Sequence, residues 1–316
     1  MRRFIAVFAL ILGFVLPALA DDFVPERRLV VTKDVDFYGA DLQALFDTDY
    51  TSCRNACLSD NRCKAFTFNG RSNSCFPKST ISERKAYEGA TSAEVMTLDP
   101  AIARVAPARG AELDLILSKG DLAAALSQAQ GIGPLHPGGQ YSVDALLRSA
   151  EDRRAQHDYL NAMRWTGAAV AMTDRSDQWV EYGRLSLQIT TQNSSERRKY
   201  ESRALSAAIN GYLRALNDAQ RVNALSVTAD ALERKGRGRD MIPVLRLAEK
   251  IQPREELTAR LDKAIAKYGF RVTEHEVESD KAEPRVCAEF SERLVRTGVD
   301  YAPYVKLPDQ RMSVEA

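Results

Sequence analysis

Four of the five cysteines lie within 23 residues of one another, and this cluster constrains the fold more than any other feature of the chain. Cys53 and Cys57 are four residues apart, so a helix would place them on one face. Cys63 and Cys75 follow, with the aromatic stretch Ala65–Asn69 between them. Such a composition indicates a small module that is held together by covalent cross-links.

The first 20 residues predict a cleaved secretion signal. Arg2 and Arg3 precede the apolar run Phe4–Leu16, and small side chains lead to Ala20, directly before Asp21. This pattern predicts cleavage between Ala20 and Asp21. The apolar run is too short to span a bilayer, no cysteine near the cleavage point could accept a lipid, and no second apolar run follows. We therefore expect a periplasmic or secreted protein without stable membrane insertion, in an oxidising compartment where the four cysteines form two disulfides.

The charge balance argues against nucleic acid as a partner. The chain has 44 Lys and Arg residues against 43 Asp and Glu, and loss of residues 1–20 changes the formal net charge from +1 to −1. Such a surface attracts neither nucleic acid nor anionic lipid. Three short basic runs are typical of solvated faces or turns, namely Arg27-Arg28, Arg197–Lys199 and Lys235–Arg239.

Residues 24–97 are rich in β-formers, glycine, serine and cysteine, which predicts a mixed α and β module. The predicted strands are Leu29–Thr32, Val35–Tyr38, Lys64–Asn69 and Ser92–Thr97, and the predicted helix is Asp49–Leu58. Residues 98–110 contain Pro100 and Pro107 and few bulky apolar side chains, so they predict a linker.

Residues 111–269 carry apolar side chains at intervals of three and four, which predicts an array of helical hairpins. Helix breaks are predicted at residues 131–139, 174–177, 217–218, 236–239 and at Pro253. The stretch Asp158–Ala169, followed by Trp179, Tyr182 and Gly183, resembles degenerate tetratricopeptide repeats. We expect Trp165 and Trp179 to pack in the core of this array.

Residues 270–316 predict a further β region. Phe270–Val277 and Arg285–Phe290 alternate strictly in polarity, and Tyr301–Leu307 could supply a third strand. So few strands bury too little surface for independent stability, so we expect the start of a larger, truncated β domain. Cys287 is the odd cysteine and is expected to be unpaired or paired outside this chain.

The four clustered cysteines allow three disulfide pairings. Pairing Cys53 with Cys57 is the worst, because side chains four residues apart on a helix lie alongside each other. Of the other two we favour Cys53–Cys75 with Cys57–Cys63, in which the short loop closes at the end of the helix and the long loop ties the helix to the sheet. A zinc site would need closer cysteine spacing or nearby histidines, so no metal is expected.

No residue pattern indicates catalysis or a cofactor. The three histidines, His136, His157 and His275, have no neighbouring groups that suggest a catalytic triad. The glycines at Gly131 and Gly133 are followed by Pro134 and do not form a phosphate-binding loop. We therefore expect a protein that is not an enzyme.

The order of cysteines around the strand Ala65–Asn69, followed by Cys75-Phe76, resembles the PAN/apple family. The resemblance covers about residues 28–97. It implies a helix joined to a curved sheet by two nested disulfides, with the pairing favoured above. It also implies binding of proteins or carbohydrates and no enzymatic activity.

The order of signal, PAN/apple module, helical array and the strand Pro284–Glu292 resembles the start of bacterial alpha-2-macroglobulin-like proteins. Members of that family trap proteases after cleavage of a bait segment, and many also use a Cys-Glu thioester. Cys287-Ala288-Glu289 lacks the thioester pattern, so no trap chemistry is assigned to residues of this chain.

Two functions follow as hypotheses. The first is a non-catalytic N-terminal region of an alpha-2-macroglobulin-like protease inhibitor, with proteases as partners. The second is a stand-alone PAN-domain protein that binds a protein or a carbohydrate, with the helical array as its scaffold.

Overall fold

The structure is a computed structural model that describes residues 23–280, 285–295 and 298–306. The signal peptide predicted at residues 1–20 and its cleavage point at Ala20 and Asp21 lie outside the described residues. The described chain consists of a disulfide-linked sheet module, a set of packed helices and a short two-stranded sheet. No helix in these ranges is long and apolar enough to cross a membrane.

The N-terminal module is a four-stranded antiparallel sheet with one helix on its face. The strands are ordered β1-β4-β2-β3, and the helix packs on β2 and β3. The elements are β1 Arg27–Tyr38, α1 Tyr50–Ser59, β2 Ala65–Asn69, β3 Ser74–Lys78 and β4 Glu83–Thr97. Helix α1 begins after Asp49, whose carboxylate accepts a hydrogen bond from the Ser52 N–H at 2.7 Å.

Two disulfides hold α1 to the sheet. Cys53 is bonded to Cys75 and Cys57 to Cys63, the pairing that the sequence favours. All four cysteines are fully buried in one core with Phe66 from β2. Closing loops of 22 and 6 residues contributes roughly 2–3 kcal/mol per bridge on chain-entropy grounds. The cross-links therefore add substantially to the stability that the small core provides.

The strand predictions are correct in position but incomplete. The two strands predicted at residues 29–32 and 35–38 are one strand, β1, which bends at an irregularity between Lys33 and Val35. Strand β4 begins at Glu83 rather than at Ser92. Strand β3 is not predicted, because it contains Pro77 and proline is rare in strands. The structure accommodates Pro77 because β3 is the edge strand of the sheet.

Helices fill residues 100–268. Their bounds are α2 Pro100–Asp114, α3 Lys119–Leu135, α4 Val143–Ala155, α5 Tyr159–Thr173, α6 Ser176–Gln188, α7 Ser194–Leu213, α8 Asp218–Arg234, α9 Met241–Ile251 and α10 Glu255–Tyr268. The breaks predicted at 174–177, 217–218, 236–239 and Pro253 are confirmed. The break predicted at 131–139 is displaced, because α3 continues through Gly131 and Pro134 to Leu135.

The linker predicted at residues 98–110 is wrong, because most of it is helix α2. Pro100 lies in the first turn, where backbone N–H groups make no intrahelical hydrogen bond, so the lack of an N–H costs nothing there. Asp99 caps the helix, and its carboxylate accepts a hydrogen bond from the Ala101 N–H at 2.7 Å. Small side chains replace bulky ones on the buried face, at Ala106 and at Gly110, which lies against Phe23. The array thus begins at Pro100 rather than at residue 111.

From α4 to α10 each helix packs against the next one along the chain. This succession is typical of helical hairpin arrays. Helix α3, however, packs against α5 and α7, and α2 also packs against α7. The tetratricopeptide-like interpretation stays a prediction. The core interpretation is correct for Trp179, which is fully buried, whereas Trp165 is half-buried at the surface.

The C-terminal sheet has two antiparallel strands, β5 Val272–Glu278 and β6 Arg285–Phe290, as the alternating polarity predicts. The third strand predicted at Tyr301–Leu307 is wrong within the described residues, where Ala302–Tyr304 form a 3-10 turn with a proline inside it. Nearly every residue of the two strands is exposed.

The sheet module rests directly on the helices through glycine. Strand β1 packs against α3 and α5, and the N–H groups of Gly138 and Gly139 both donate to the Val31 carbonyl at 3.0 Å. At Gly133 on α3, a Cβ atom would lie 1.9 Å from the Leu29 carbonyl oxygen. Only a residue without a side chain allows this approach of helix to strand.

Substituting Gly133→Ala should therefore destabilise the protein by about 2 kcal/mol or more, because the new methyl group forces β1 away from α3. Gly131→Ala is the matched control on the same helix, since a Cβ there meets no atom within 4 Å. Because alanine has a higher helix propensity than glycine, Gly131→Ala should leave the stability unchanged or raise it by up to about 1 kcal/mol. Urea unfolding of both variants measures the difference, and equal effects would contradict the contact.

Candidate binding surfaces

Two adjacent arginines of β1 point to opposite faces of the sheet, as alternating strand residues do. The Arg27 guanidinium donates to the carbonyls at the end of α1, including Leu58 O at 2.7 Å and Asp60 O at 3.1 Å. It therefore satisfies backbone acceptors that the helix end leaves free. Arg28 extends instead into the helices, where its side chain is 7% exposed. The prediction that Arg27-Arg28 is a solvated run is wrong.

Arg28 is one of two buried arginines beside one buried carboxylate. Its Nε donates to Ala171 O at 3.1 Å, and its Nη1 lies 3.9 Å from Asp174 Oδ2. On the other side of Asp174, the fully buried Arg214 Nε donates to Oδ1 at 2.5 Å. Asp174 follows α5 in a left-handed conformation with φ of 54°, which Asp tolerates better than most residues.

Neutral groups add hydrogen bonds to this cluster, although Asp174 Oδ2 and Arg214 Nη2 make none within the described residues. The Trp179 Nε1–H also donates to Asp174 Oδ1, at 2.8 Å, and Arg214 Nη1 donates to Asn210 Oδ1 at 2.8 Å. Burial lowers the pKa of Arg28, Arg214 lowers it further, and Asp174 opposes the change. An arginine stays ionised through such a change. We call these residues, Arg28, Asp174 and Arg214 with Trp179 and Asn210, the Asp174 cluster.

The sheet module keeps one exposed surface with aromatic side chains. Tyr38 is 43% exposed and lies beneath Lys85, whose Nζ is 5.0 Å from the ring centroid. Tyr87, two residues beyond Lys85 on β4, is 39% exposed and its hydroxyl accepts from Asn69 Nδ2 at 3.2 Å. We call this surface, formed by Tyr38, Lys85, Tyr87 and Asn69, the ribbon face. Aromatic rings flanked by polar groups are common where proteins bind partners.

A second concave surface lies between the C-terminal end of α3, the start of α5 and α7, and we call it the α3–α5–α7 groove. Its volume is about 640 Å³. Apolar walls come from Leu160, Met163, Trp165 and Tyr200. The groove therefore offers room and apolar surface for a side chain or a small ligand.

Residues 28–99 match the family model of the PAN domain. They form a PAN domain. This agrees with the disulfide-linked helix and sheet described above and with the family resemblance of the sequence. A receptor protein kinase of Zea mays is 35% identical over 60 residues, which are 19% of this chain and 7% of that protein. The chain thus spans only a small part of that relative. No solved structure matches the chain.

The histidines do not form a catalytic site within the described residues. His136 Nε2 lies 2.8 Å from the hydroxyl of Tyr182, and the exposed His157 lies 2.9 Å from that of Tyr159. His275 is opposite Ala288 in the C-terminal sheet, one position away from Cys287, so the two side chains point to opposite faces. No group of three or more potential ligands in the described chain could hold a metal ion.

Cys287 is exposed and has no disulfide partner in the described part of the chain. It lies opposite Glu276 in the two-stranded sheet. That it is unpaired, or paired outside this chain, stays a prediction.

Sequence reasoning missed the residues that join the PAN domain to the array. Arg28 contacts a carbonyl that lies 143 residues away along the chain. Within the array, sequence reasoning also missed the bidentate pair of Arg237, from the predicted basic turn, with Asp121 on α3, at 2.8 and 2.9 Å. Neither partner is near in sequence. The one sequence signal for such contacts was that these positions hold arginine rather than lysine. Arginine is better suited than lysine to bidentate and buried contacts.

His136 is buried, and this gives the protein a pH-dependent stability. Burial lowers the pKa of His136 from its usual 6.5 to about 3, with further lowering by Arg203 and Arg164. Gly167 makes room for the ring, since a Cβ there would lie 2.4 Å from it. Above pH 6.5 neither the folded nor the unfolded chain binds this proton; below it only the unfolded chain does, until about pH 3.

The contribution of His136 to stability should therefore be lost as the pH falls from 6.5 toward 3, by up to about 1.4 kcal/mol per pH unit. The variant His136→Gln, which can still reach Tyr182, removes this titration. Urea unfolding between pH 7.5 and pH 4 should show the wild-type advantage shrinking in acid, with His157→Gln as the exposed control. A difference between wild type and His136→Gln that is independent of pH would contradict the assignment.

Removing the carboxylate of Asp174 should destabilise the protein by about 3–5 kcal/mol, because two buried guanidinium groups then lose their shared counter-charge. Asp174→Ala is the test and Asp177→Ala the control, since Asp177 forms an exposed pair with Arg175. Chemical denaturation should give less than about 1 kcal/mol for the control. A loss at Asp174 as small as the control would show that the cluster contributes little.

Proposed function

We propose that the protein is a non-catalytic, secreted binding protein whose PAN domain contacts the ligand and whose helical array supports it. The observation that carries this proposal is the orientation of the PAN domain. Its β1 strand is fixed to the array through the Asp174 cluster and Gly133, while the ribbon face stays exposed. A binding surface held on a rigid support loses little conformational freedom on binding.

The ligand is a protein or a carbohydrate, the two classes that PAN domains bind. The ribbon face suits either class, since Tyr38 and Tyr87 offer flat apolar rings and Lys85 and Asn69 offer hydrogen-bond donors beside them. The disulfides are in keeping with an oxidising compartment, and cleavage after Ala20 would deliver the chain there.

The alternative function is the N-terminal region of an alpha-2-macroglobulin-like protease inhibitor. The observation in its favour is the two-stranded β5–β6 sheet, which leaves Val277 and Val286 62% and 59% exposed. A sheet of two strands is marginal alone and gains stability when its apolar side chains are covered. Further β structure could cover it, and Cys287 could pair there. In this function the bait and the trap belong to other residues than those of this chain.

Binding by the ribbon face can be measured directly. The biotinylated chain without residues 1–20 is applied to a glycan array and to a displayed peptide library. The double variant Tyr38→Ala, Tyr87→Ala should lose binding of any selected ligand by about tenfold or more, because exposed tyrosines dominate such contacts. Phe46→Ala removes another exposed ring of the PAN domain, 67% exposed, and is the matched control.

Failure of both the glycan array and the peptide library to yield a ligand, or equal binding by both variants, would contradict a ligand site on the ribbon face.

The alternative function is tested by the mass of the native protein in a periplasmic extract. A species several-fold heavier than the 35.1 kDa chain is expected for an inhibitor, and a species near this mass contradicts that alternative.

A further inference from the structure

The α3–α5–α7 groove carries an excess of positive charge without partners. Arg164, Lys199 and Arg203 line it, together with one carboxylate, Glu196. Within the described residues, no carboxylate lies within ion-pair distance of the three cations. Arg164 donates to the side-chain oxygen of Asn161 at 3.2 Å, and its charge, after the hydrogen bonds from Asn161, helps to lower the pKa of the Asp158 carboxyl. Unpaired cations at the edge of an apolar groove favour an anionic ligand.

Two other partly buried arginines of the array are paired with carboxylates. Arg221 is paired with Glu112 at 2.8 Å, and Arg260 is paired with Asp230 at 2.5 Å. Arg203, by contrast, lies over the Tyr200 ring at 5.5 Å and approaches the Met163 sulfur at 3.8 Å. Its guanidinium is thus held in place by apolar groups, with donors left for a ligand.

His136 supplies a further donor at the same groove. Its side chain lines the groove and is 7% exposed. Tyr182 is fully buried, and His136 Nε2 is the one hydrogen-bond partner of its hydroxyl in the described chain. A buried hydroxyl needs an acceptor for its hydrogen, and Nε2 is the acceptor available to Tyr182. Nε2 therefore carries no hydrogen, and the neutral imidazole has its hydrogen on Nδ1. Nδ1 makes no hydrogen bond within the described residues and is a free donor.

We propose that the α3–α5–α7 groove binds an acidic peptide segment, with its carboxylates at Arg164, Lys199 and Arg203 and an apolar side chain against Leu160 and the exposed Leu135, which also lines the groove. The array is then a second binding element, separate from the ribbon face. This site goes beyond the proposed function, in which the array only supports the PAN domain.

A peptide fits the groove better than a sugar does. Sugar hydroxyls are donors as well as acceptors, and the groove offers few acceptors. The carbonyl and carboxylate acceptors of its side chains are Glu196, one of whose oxygens accepts from the Thr191 hydroxyl at 2.9 Å, and Asn161, whose oxygen accepts from Arg164. A sugar ring packs best on a flat aromatic face, but the Tyr200 ring already lies beneath the Arg203 guanidinium and the Trp165 ring already packs against Tyr141. The remaining aliphatic wall at Leu160 suits a hydrophobic side chain.

The test is selection of a phage-displayed random dodecapeptide library on the immobilised chain without residues 1–20. The selected peptides should be enriched in Asp and Glu next to apolar residues. Their dissociation constants, measured by fluorescence anisotropy, should rise at least about tenfold in the double variant Lys199→Glu, Arg203→Glu. The control, Arg246→Glu with Lys263→Glu, makes the same charge change at exposed positions on α9 and α10.

Peptides without acidic enrichment, or equal binding by the two double variants, would overturn the proposal. A sulfated heparin-derived hexasaccharide is the second probe. If it binds in a manner that requires Lys199 and Arg203 while no acidic peptide is selected, the groove is a glycan site and the proposal is wrong. The ribbon variant Tyr38→Ala, Tyr87→Ala should bind the selected acidic peptides as the wild type does, which separates this site from the PAN ligand site.

Discussion

The architecture depends on one buried carboxylate between two buried guanidinium groups. Asp174 has a side chain only 4% exposed, and it lies between Arg28 of the PAN domain and Arg214 of the array. Taking these charges out of water costs several kcal/mol per ion, and the cost is offset only when all partners are present. Since Arg28 comes from one part of the structure and Asp174 and Arg214 from another, the cluster is complete only when the PAN domain and the array pack together.

The same packing of the PAN domain on the array fixes the positions of the two proposed binding surfaces. Gly133 brings α3 against the Leu29 carbonyl, and the same helix leads to His136 at the α3–α5–α7 groove. The strand that carries Arg28 into the array continues to Tyr38 on the ribbon face. The groove and the ribbon face are thus connected through short rigid elements. A ligand with both a PAN-binding part and an acidic segment would gain from this fixed arrangement, because its second contact becomes intramolecular.

Secondary structure and the PAN domain could be predicted from the sequence, whereas contacts between residues far apart in the sequence could not. Cysteine spacing and alternating polarity identified the PAN domain, and the helix breaks at 174–177 and 236–239 followed from their polar and glycine residues. The linker prediction failed because Pro107 is accommodated inside α2 and because two of the four buried residues of this helix, Ala106 and Gly110, are small. The role of Arg28 was missed because its partners are distant in sequence. The pattern of one strand or one helix does not show which faces of the elements pack together. The groove was missed for the same reason, since α3, α5 and α7 meet only in the folded chain.

The central claim is that the PAN domain and the helical array fold as one unit through the Asp174 cluster. Differential scanning calorimetry of the oxidised chain without residues 1–20 tests it most directly. A single transition whose calorimetric enthalpy equals its van't Hoff enthalpy is the predicted result, because neither part can keep the cluster complete without the other. Two separate transitions, one abolished by reduction of the disulfides and one unaffected, would contradict the claim.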